Sequence, residues 1–157
     1  MFQDKQKRRV DIYELKKGCE SMNINLLKAA DKLLFAVNDI GKLIRDMEGK
    51  NSFEDAKVLE ILRQITEQMR NAEGEIRHFS KPAKEGRLRE LPNGRFEVAG
   101  IELRCGYPVE IYSDKYREWF DGRVEHANGH YYFYCSDLEH PILYTGMKAR
   151  VRIEREC

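Results

Sequence analysis

The chain has 157 residues, of which 41% are apolar and 35% charged, with a net charge of +1. The apolar share suffices for a packed core, and the balanced charge gives no global bias toward nucleic acid or a membrane surface. The amino terminus, MFQDKQKRRVDIY, lacks the apolar stretch of a signal sequence, and no later run is long enough to span a bilayer, so a cytoplasmic location is expected.

In chain order, apolar or small residues first recur at Leu15, Cys19, Met22, Leu26, Ala29, Leu33, Ala36, Ile40, Leu43 and Met47. Their steps of four and three make a heptad seam. A second series, Val58, Leu62, Ile65, Met69, Ala72, Ile76 and Phe79, keeps the same rhythm. Between them Gly49 supplies a helix stop, Ser52 an N-cap, and Asp55 a partner three residues on. The pattern predicts an antiparallel, coiled-coil-like helical hairpin. A first helix running from Val10 to Met47 would be about 57 Å long against about 40 Å for the second. The segment VDIYELKKGCE therefore either forms a separate helix broken near Gly18 or projects beyond the hairpin. Ala30, Leu34, Val37, Ile44, Leu59 and Ile61 widen the apolar stripe past what one partner helix covers. Self-association into four helices, packing on the rest of the chain, or a foreign protein partner would bury the excess.

The composition changes near FSKPAKEG, residues 79–86, because all four prolines lie from Pro82 onward. Pro82 is expected to end the helix at or before Lys81, leaving a short linker between a helical domain, residues 1–80, and a second domain, residues 86–157. There, GRLREL and GRFEVAG flank the turn sequence PNG. GIELRCGYPVEIYS alternates around Gly106, and GMKARVRIE places Ala149, Val151 and Ile153 on one face. Five or six short strands are expected, closing into a small antiparallel barrel of SH3-like type, with an OB-like barrel as the alternative. The fold class is α+β.

Asn128-Gly129 in the stretch EWFDGRVEHANGHYYFYC is a strong two-residue hairpin signal. It pairs Ala127 with His130, His126 with Tyr131, Glu125 with Tyr132, Val124 with Phe133 and Arg123 with Tyr134. One face then collects Phe120, Val124, His126, Tyr131, Phe133 and Cys135, and this face is expected to be core. The other collects Trp119, Arg123, Glu125, Tyr132 and Tyr134. Rings interleaved with charge suit a surface that touches something, so Trp119, Arg123, Tyr132 and Tyr134 are the candidate partner-binding residues, with Arg123 stacked on Tyr134. A covering by the helical hairpin is the competing reading.

Nucleic-acid binding is the alternative function. Were the first and last strands to pair, Arg87 and Arg89 would join Lys148, Arg150 and Arg152 in one basic stripe, and Lys5, Lys7, Arg8 and Arg9 would add a basic arm. Against this, residues 86 onward hold 11 basic and 12 acidic residues, a net of −1. Three histidines, His126, His130 and His140, stand near Asp121, Asp137 and Glu139, but no nucleophile elbow, phosphate loop or metal triad is present, so no enzyme is expected. The cysteines, Cys19, Cys105, Cys135 and Cys157, form no CxxC pair. Cys105 and Cys135 are read as small apolar strand residues rather than as metal ligands beside His126 and His130. No metal or cofactor is expected.

The motifs GRFE (94–97), GYPVE (106–110), GRVEH (122–126), YYF (131–133) and GMKARVR (146–152) together resemble domain-of-unknown-function family 5348, a small β domain of Firmicutes and their mobile elements. The resemblance covers about residues 86–155 and implies no activity. Association with mobile elements implies a host-interaction or inhibitor role, and the helical half lies outside it.

Overall fold

The computed structural model describes residues 22–50 and 52–154. The seam positions Leu15 and Cys19, the basic residues Lys5, Lys7, Arg8 and Arg9, and Cys157 lie outside them. The described residues divide into two compact units on either side of the bond between Pro82 and Ala83. The first is two antiparallel helices, α1 (Ile24–Met47) and α2 (Phe53–Ser80), and the second is eight strands, so the class is α+β.

Helix α1 begins at a cap. Asn23 is extended, its Oδ1 accepts from the backbone N–H groups of Asn25 and Leu26, and its own N–H donates to the Ser80 carbonyl at 2.8 Å. A single helix from Val10 to Met47 is therefore ruled out, because an asparagine side chain satisfies orphan N–H groups only where the helix starts. At the other end, Glu48 caps α1, Gly49 turns with φ 87°, and Ser52 Oγ accepts from Asp55 N at 3.0 Å to open α2. Pro82 follows the end of α2 at Ser80.

The seam lies one residue away from the expected one at alternate positions. Leu26, Leu33, Ile40 and Met47 face the partner helix as read, but Ala30, Val37 and Ile44 complete the row while Ala29 and Leu43 are exposed. In α2, Leu59 and Thr66 replace the exposed Val58 and Ile65 between Leu62, Met69 and Ile76. An apolar arc wider than one partner can cover contains two heptad rows offset by one residue, and packing chooses the row nearer the middle of the arc. Thr66 tolerates burial because its Oγ1 donates to the Leu62 carbonyl at 2.7 Å.

Strands β1 (Ala83–Arg87), β5 (Pro108–Ser113), β6 (Glu118–Ala127), β7 (His130–Tyr134) and β8 (Lys148–Arg152) form one antiparallel sheet in the order β1-β8-β5-β6-β7. Strands β2 (Arg89–Glu90), β3 (Phe96–Val98) and β4 (Ile101–Leu103) form a second, in sequence order. Among the described residues no ladder joins the two sheets into a closed barrel. The linker is shorter than expected, since β1 starts at Ala83 and only residues 81 and 82 separate helix from strand. The strand read from GRLREL is interrupted at Leu88, whose buried side chain marks where the chain leaves β8 and enters the second sheet.

The buried cluster includes Leu88, Phe96, Val98, Leu103, Val109, Ile111, Val124, Phe133, Ala149 and Val151, residues supplied by both sheets. The β6–β7 hairpin has the expected register, from Arg123 opposite Tyr134 to Ala127 opposite His130. Its turn residues Asn128 and Gly129 have φ of 53° and 79°, the left-handed pair that a type I′ turn demands. Gly122 lets this hairpin close on its core: a Cβ there would lie 2.7 Å from the Phe133 ring and collide with the Tyr134 carbonyl oxygen. Of the expected inner face, His126 departs: it is exposed, beyond the end of the core, with its ring 4.6 Å from that of Tyr131. Among the described residues no helix is long and apolar enough to cross a membrane.

Candidate functional site

Alternation along β5, β6, β7 and β8 sends one set of side chains to the face of the large sheet opposite the core. Register then sets the rows across this outer face. Arg87 is opposite Lys148, and the Tyr112–Trp119 pair of β5 and β6 continues that row. The next row runs Glu85, Arg150, Glu110 and Asp121. Arg123 and Tyr134 form a third pair, and Glu125 and Tyr132 a fourth. The candidate aromatic patch and most of the basic stripe therefore share one face.

They form two clusters rather than one patch. Trp119 meets Tyr112 edge-to-face at 5.4 Å, the Arg150 guanidinium lies 4.2 Å from its ring centroid, and Lys148 Nζ stands 5.2 Å from Trp119 and 4.9 Å from Tyr112. Four residues along β6, about 13 Å at the strand rise, Arg123 lies 4.3 Å over Tyr134, whose other neighbour is the His140 ring at 4.6 Å. His140 also stacks on Tyr132 at 5.8 Å. The Arg123–Tyr134 stack expected from the hairpin register is present. Sequence reasoning did not single out Tyr112, and it named His140 only among the histidines and not beside Tyr134, because one needs the β5–β6 pairing and the other a loop that folds back beside β7. The alternation of Glu110 and Tyr112 in PVEIYS was the signal for the first.

Arg150 and Arg152 of the stripe are engaged by one carboxylate. Glu110, only 5% exposed, accepts from Arg150 at 2.8 Å and from Arg152 at 2.8 and 2.9 Å. Burial pushes the Glu110 carboxyl up, but the hydrogen bonds from Arg152 and Arg150 outweigh it, so the group is held below the usual carboxylate range. Lys148 pairs with Glu85 at 2.9 Å, and Arg87 donates to the Gly146 carbonyl at 2.8 Å. Arg89 does not belong to the stripe: it lies in the second sheet, paired with Glu97. Past Leu88 the chain has changed sheets, which a continuous reading of GRLREL did not foresee.

Arg123 also binds Glu125 at 2.5 Å, and Glu125 accepts from the Cys105 thiol at 3.1 Å. Arg123 and Cys105 hold the Glu125 carboxyl low, and Glu125 pushes the Cys105 thiol up. Cys135 fills the core as expected, but Cys105 is exposed on the Arg104–Tyr107 turn. Strand alternation breaks at that turn, so the apolar position assigned to Cys105 does not exist. Among the described residues no three His, Cys, Asp or Glu side chains converge as metal ligands.

A helical hairpin followed by a two-sheet β unit with a cation-and-ring outer face defines the class of this molecule. Within it, residues 86–151 match the model of a family described as a domain of unknown function, DUF5348, the family that the strand motifs resemble. The match covers the β unit almost from end to end and leaves out the helices. No curated protein and no solved structure matches the chain.

Proposed function

We propose that the protein is a non-enzymatic interaction protein of the cytoplasm. Its hairpin assembles with a second copy of itself, and its β unit, in outline an SH3-like barrel left open between its two sheets, presents the outer face to a protein partner. The observation that carries this reading is an apolar strip on the hairpin that stands exposed among the described residues. Leu43 is 47% exposed, Val58 44%, Ile61 54% and Ile65 40%. At 100° per residue Leu43 and Ala36 flank the α1 seam on its low-angle side, and Val58, Ile61 and Ile65 flank the α2 seam likewise. In an antiparallel pair those two flanks open to the same side, so the four exposed residues make one strip. Two helices alone bury too little to hide it, whereas a four-helix arrangement buries such strips against each other. On the β unit, Arg123, Tyr132 and Tyr134 are the partner-binding residues, with Trp119 serving to hold the face together.

Light scattering of the full chain tests the assembly. The wild type is expected at twice the chain mass, and Leu43→Glu with Ile61→Glu at the single mass with unchanged helical circular dichroism. A wild-type monomer at 100 μM overturns the self-assembly reading.

Nucleic-acid binding is the second reading, favoured by Arg87, Lys148, Arg150 and Arg152 standing on the same face as Tyr112 and Trp119. It is the weaker one, because Glu85 and Glu110 already pair with three of the four cations and leave little counterion release to drive binding. Retention of labelled single-stranded DNA at 50 mM salt, lost on Arg87→Glu, would reverse that order.

A further inference from the structure

The β unit carries a cavity that shares Tyr112 with the Trp119 cluster of the outer face and none of its other residues. It has a volume of about 510 Å³ and lies where the end of β5 and the turn after it meet the loop between β7 and β8. Its floor is apolar, with Ile111 and Met147 from the core and Leu138 and Pro141 beside them. Its rim is phenolic and acidic: Tyr116 and Tyr144 are exposed, as are Asp114, Asp137 and Glu139, and Lys115 is the single cation among the described residues of the lining.

Both walls are held by the backbone. Arg117 N donates to the Ser113 carbonyl at 2.7 Å, closing the turn, and the Tyr116 ring packs edge-to-face on Phe120 at 5.9 Å. Across the cavity, Phe133 N donates to the Pro141 carbonyl and Leu143 N to the Tyr131 carbonyl, both at 2.9 Å, so residues 141–143 run beside β7 like a further strand. Gly146 N donates to the Leu88 carbonyl and Leu88 N to the Met147 carbonyl, tying the far end of the loop to the residue between β1 and β2. A cavity with fixed walls loses little freedom on filling.

We propose that this cavity receives an arginine side chain presented on an extended segment of a partner protein. The volume lies in the range of small-ligand sites but exceeds one side chain, which fits arginine together with its neighbouring residues. The apolar floor suits the three methylenes of arginine, and the carboxylates of the rim outnumber its one cation three to one. A guanidinium engages carboxylates in a bidentate fork while lying against phenol rings, a combination that an ammonium reproduces less well. Lys115, 4.8 Å over the Tyr116 ring, shows the same pairing of cation and phenol within the chain. The inference does not rest on hairpin assembly.

The probe is the acetylated, amidated peptide Ala-Ala-Arg-Ala-Ala, with a norleucine and a glutamate version as controls, titrated against the full chain. The methyl signals of Ile111 and Met147 report filling of the floor, and the single tryptophan, Trp119, reports through its contact with Tyr112. The arginine peptide is expected to saturate both signals at least tenfold more tightly than the norleucine peptide. Asp137→Asn with Glu139→Gln weakens it at least tenfold, as does Tyr144→Ala separately, all at exposed positions where the fold is not at stake. The hairpin variant Leu43→Glu/Ile61→Glu leaves the affinity unchanged, which separates failure here from failure of the assembly reading. No saturable shift with the arginine peptide, equal affinity for the norleucine peptide, or indifference to the rim variants overturns the proposal.

Discussion

Glu110 joins β5 to β8 through two arginines, and its environment makes stability depend on pH. Its carboxyl is held below the value of 4.5 that it has when free of the fold. A group depressed on folding contributes stability that is fully present above the unfolded value and is lost as pH falls through the folded one. Glu110→Gln is expected to cost about 3–5 kcal/mol at pH 7, because it leaves Arg150 and Arg152 without their shared charge. The gap between wild type and variant in urea midpoint should shrink steadily below about pH 4.5. A constant gap down to pH 3 would show that the pair contributes nothing through its charge. On the two sides of β6–β7, rings differ in the same measurable way. Phe133→Ala removes a fully buried ring and should cost about 3–5 kcal/mol. Trp119→Ala removes a half-buried ring under Arg150 and Lys148 and should cost about 1–2 kcal/mol. Thermal melts giving equal losses would place Trp119 in a core.

At the scale of elements, the turn between β3 and β4 contains an avoidable strain. Ala99 has φ 52° beside Gly100 at 81°, a left-handed conformation in which a Cβ costs about 1 kcal/mol. Ala99→Gly is expected to raise stability by about 0.5–1 kcal/mol, read as a higher denaturant midpoint at unchanged slope. A lowered midpoint would mean that the Ala99 methyl contributes more through its packing on the core than its backbone loses. The β6–β7 turn has no such conflict, since Asn128 and Gly129 both accept positive φ. In the helices the conflict is between two rows of apolar residues. Ala30, Val37, Leu59 and Thr66 were buried in preference to Ala29, Leu43, Val58 and Ile65, and Leu43, Val58 and Ile65 of the rejected row belong to the strip on which the proposed assembly rests.

For the whole molecule, the two units are expected to fold separately. Each has its own apolar pattern, and the described chain divides at one bond between Pro82 and Ala83. Fragments 1–82 and 83–157 should give helical and β circular dichroism respectively, each with a cooperative melt. An unfolded 83–157 fragment would mean that the β unit needs the helices.

Much of this organisation was already determined by local sequence. Ser52 with Asp55 set the start of α2, and Asn128-Gly129 the hairpin register. Pro82 set the end of the helices, and the alternation of Ala149 and Val151 with Lys148 and Arg150 the two faces of β8. These features are legible because a cap, a turn and an alternation act over a few residues, whose side chains alone decide the backbone. Tertiary structure decided what depends on distant partners. Which heptad row is buried follows from where the second helix lies, not from the first helix's own pattern. Arg89 left the basic stripe because the chain changes sheets at Leu88, a bend that Met147 on a remote loop stabilises through the Leu88 N–H. Glu110 meets Arg150 and Arg152 across 40 and 42 residues of chain, so the neutralised stripe became visible only when β5 and β8 were adjacent. The arginine cavity likewise joins residues 111–116 to residues 137–147, and no periodicity within either segment encodes a space between them.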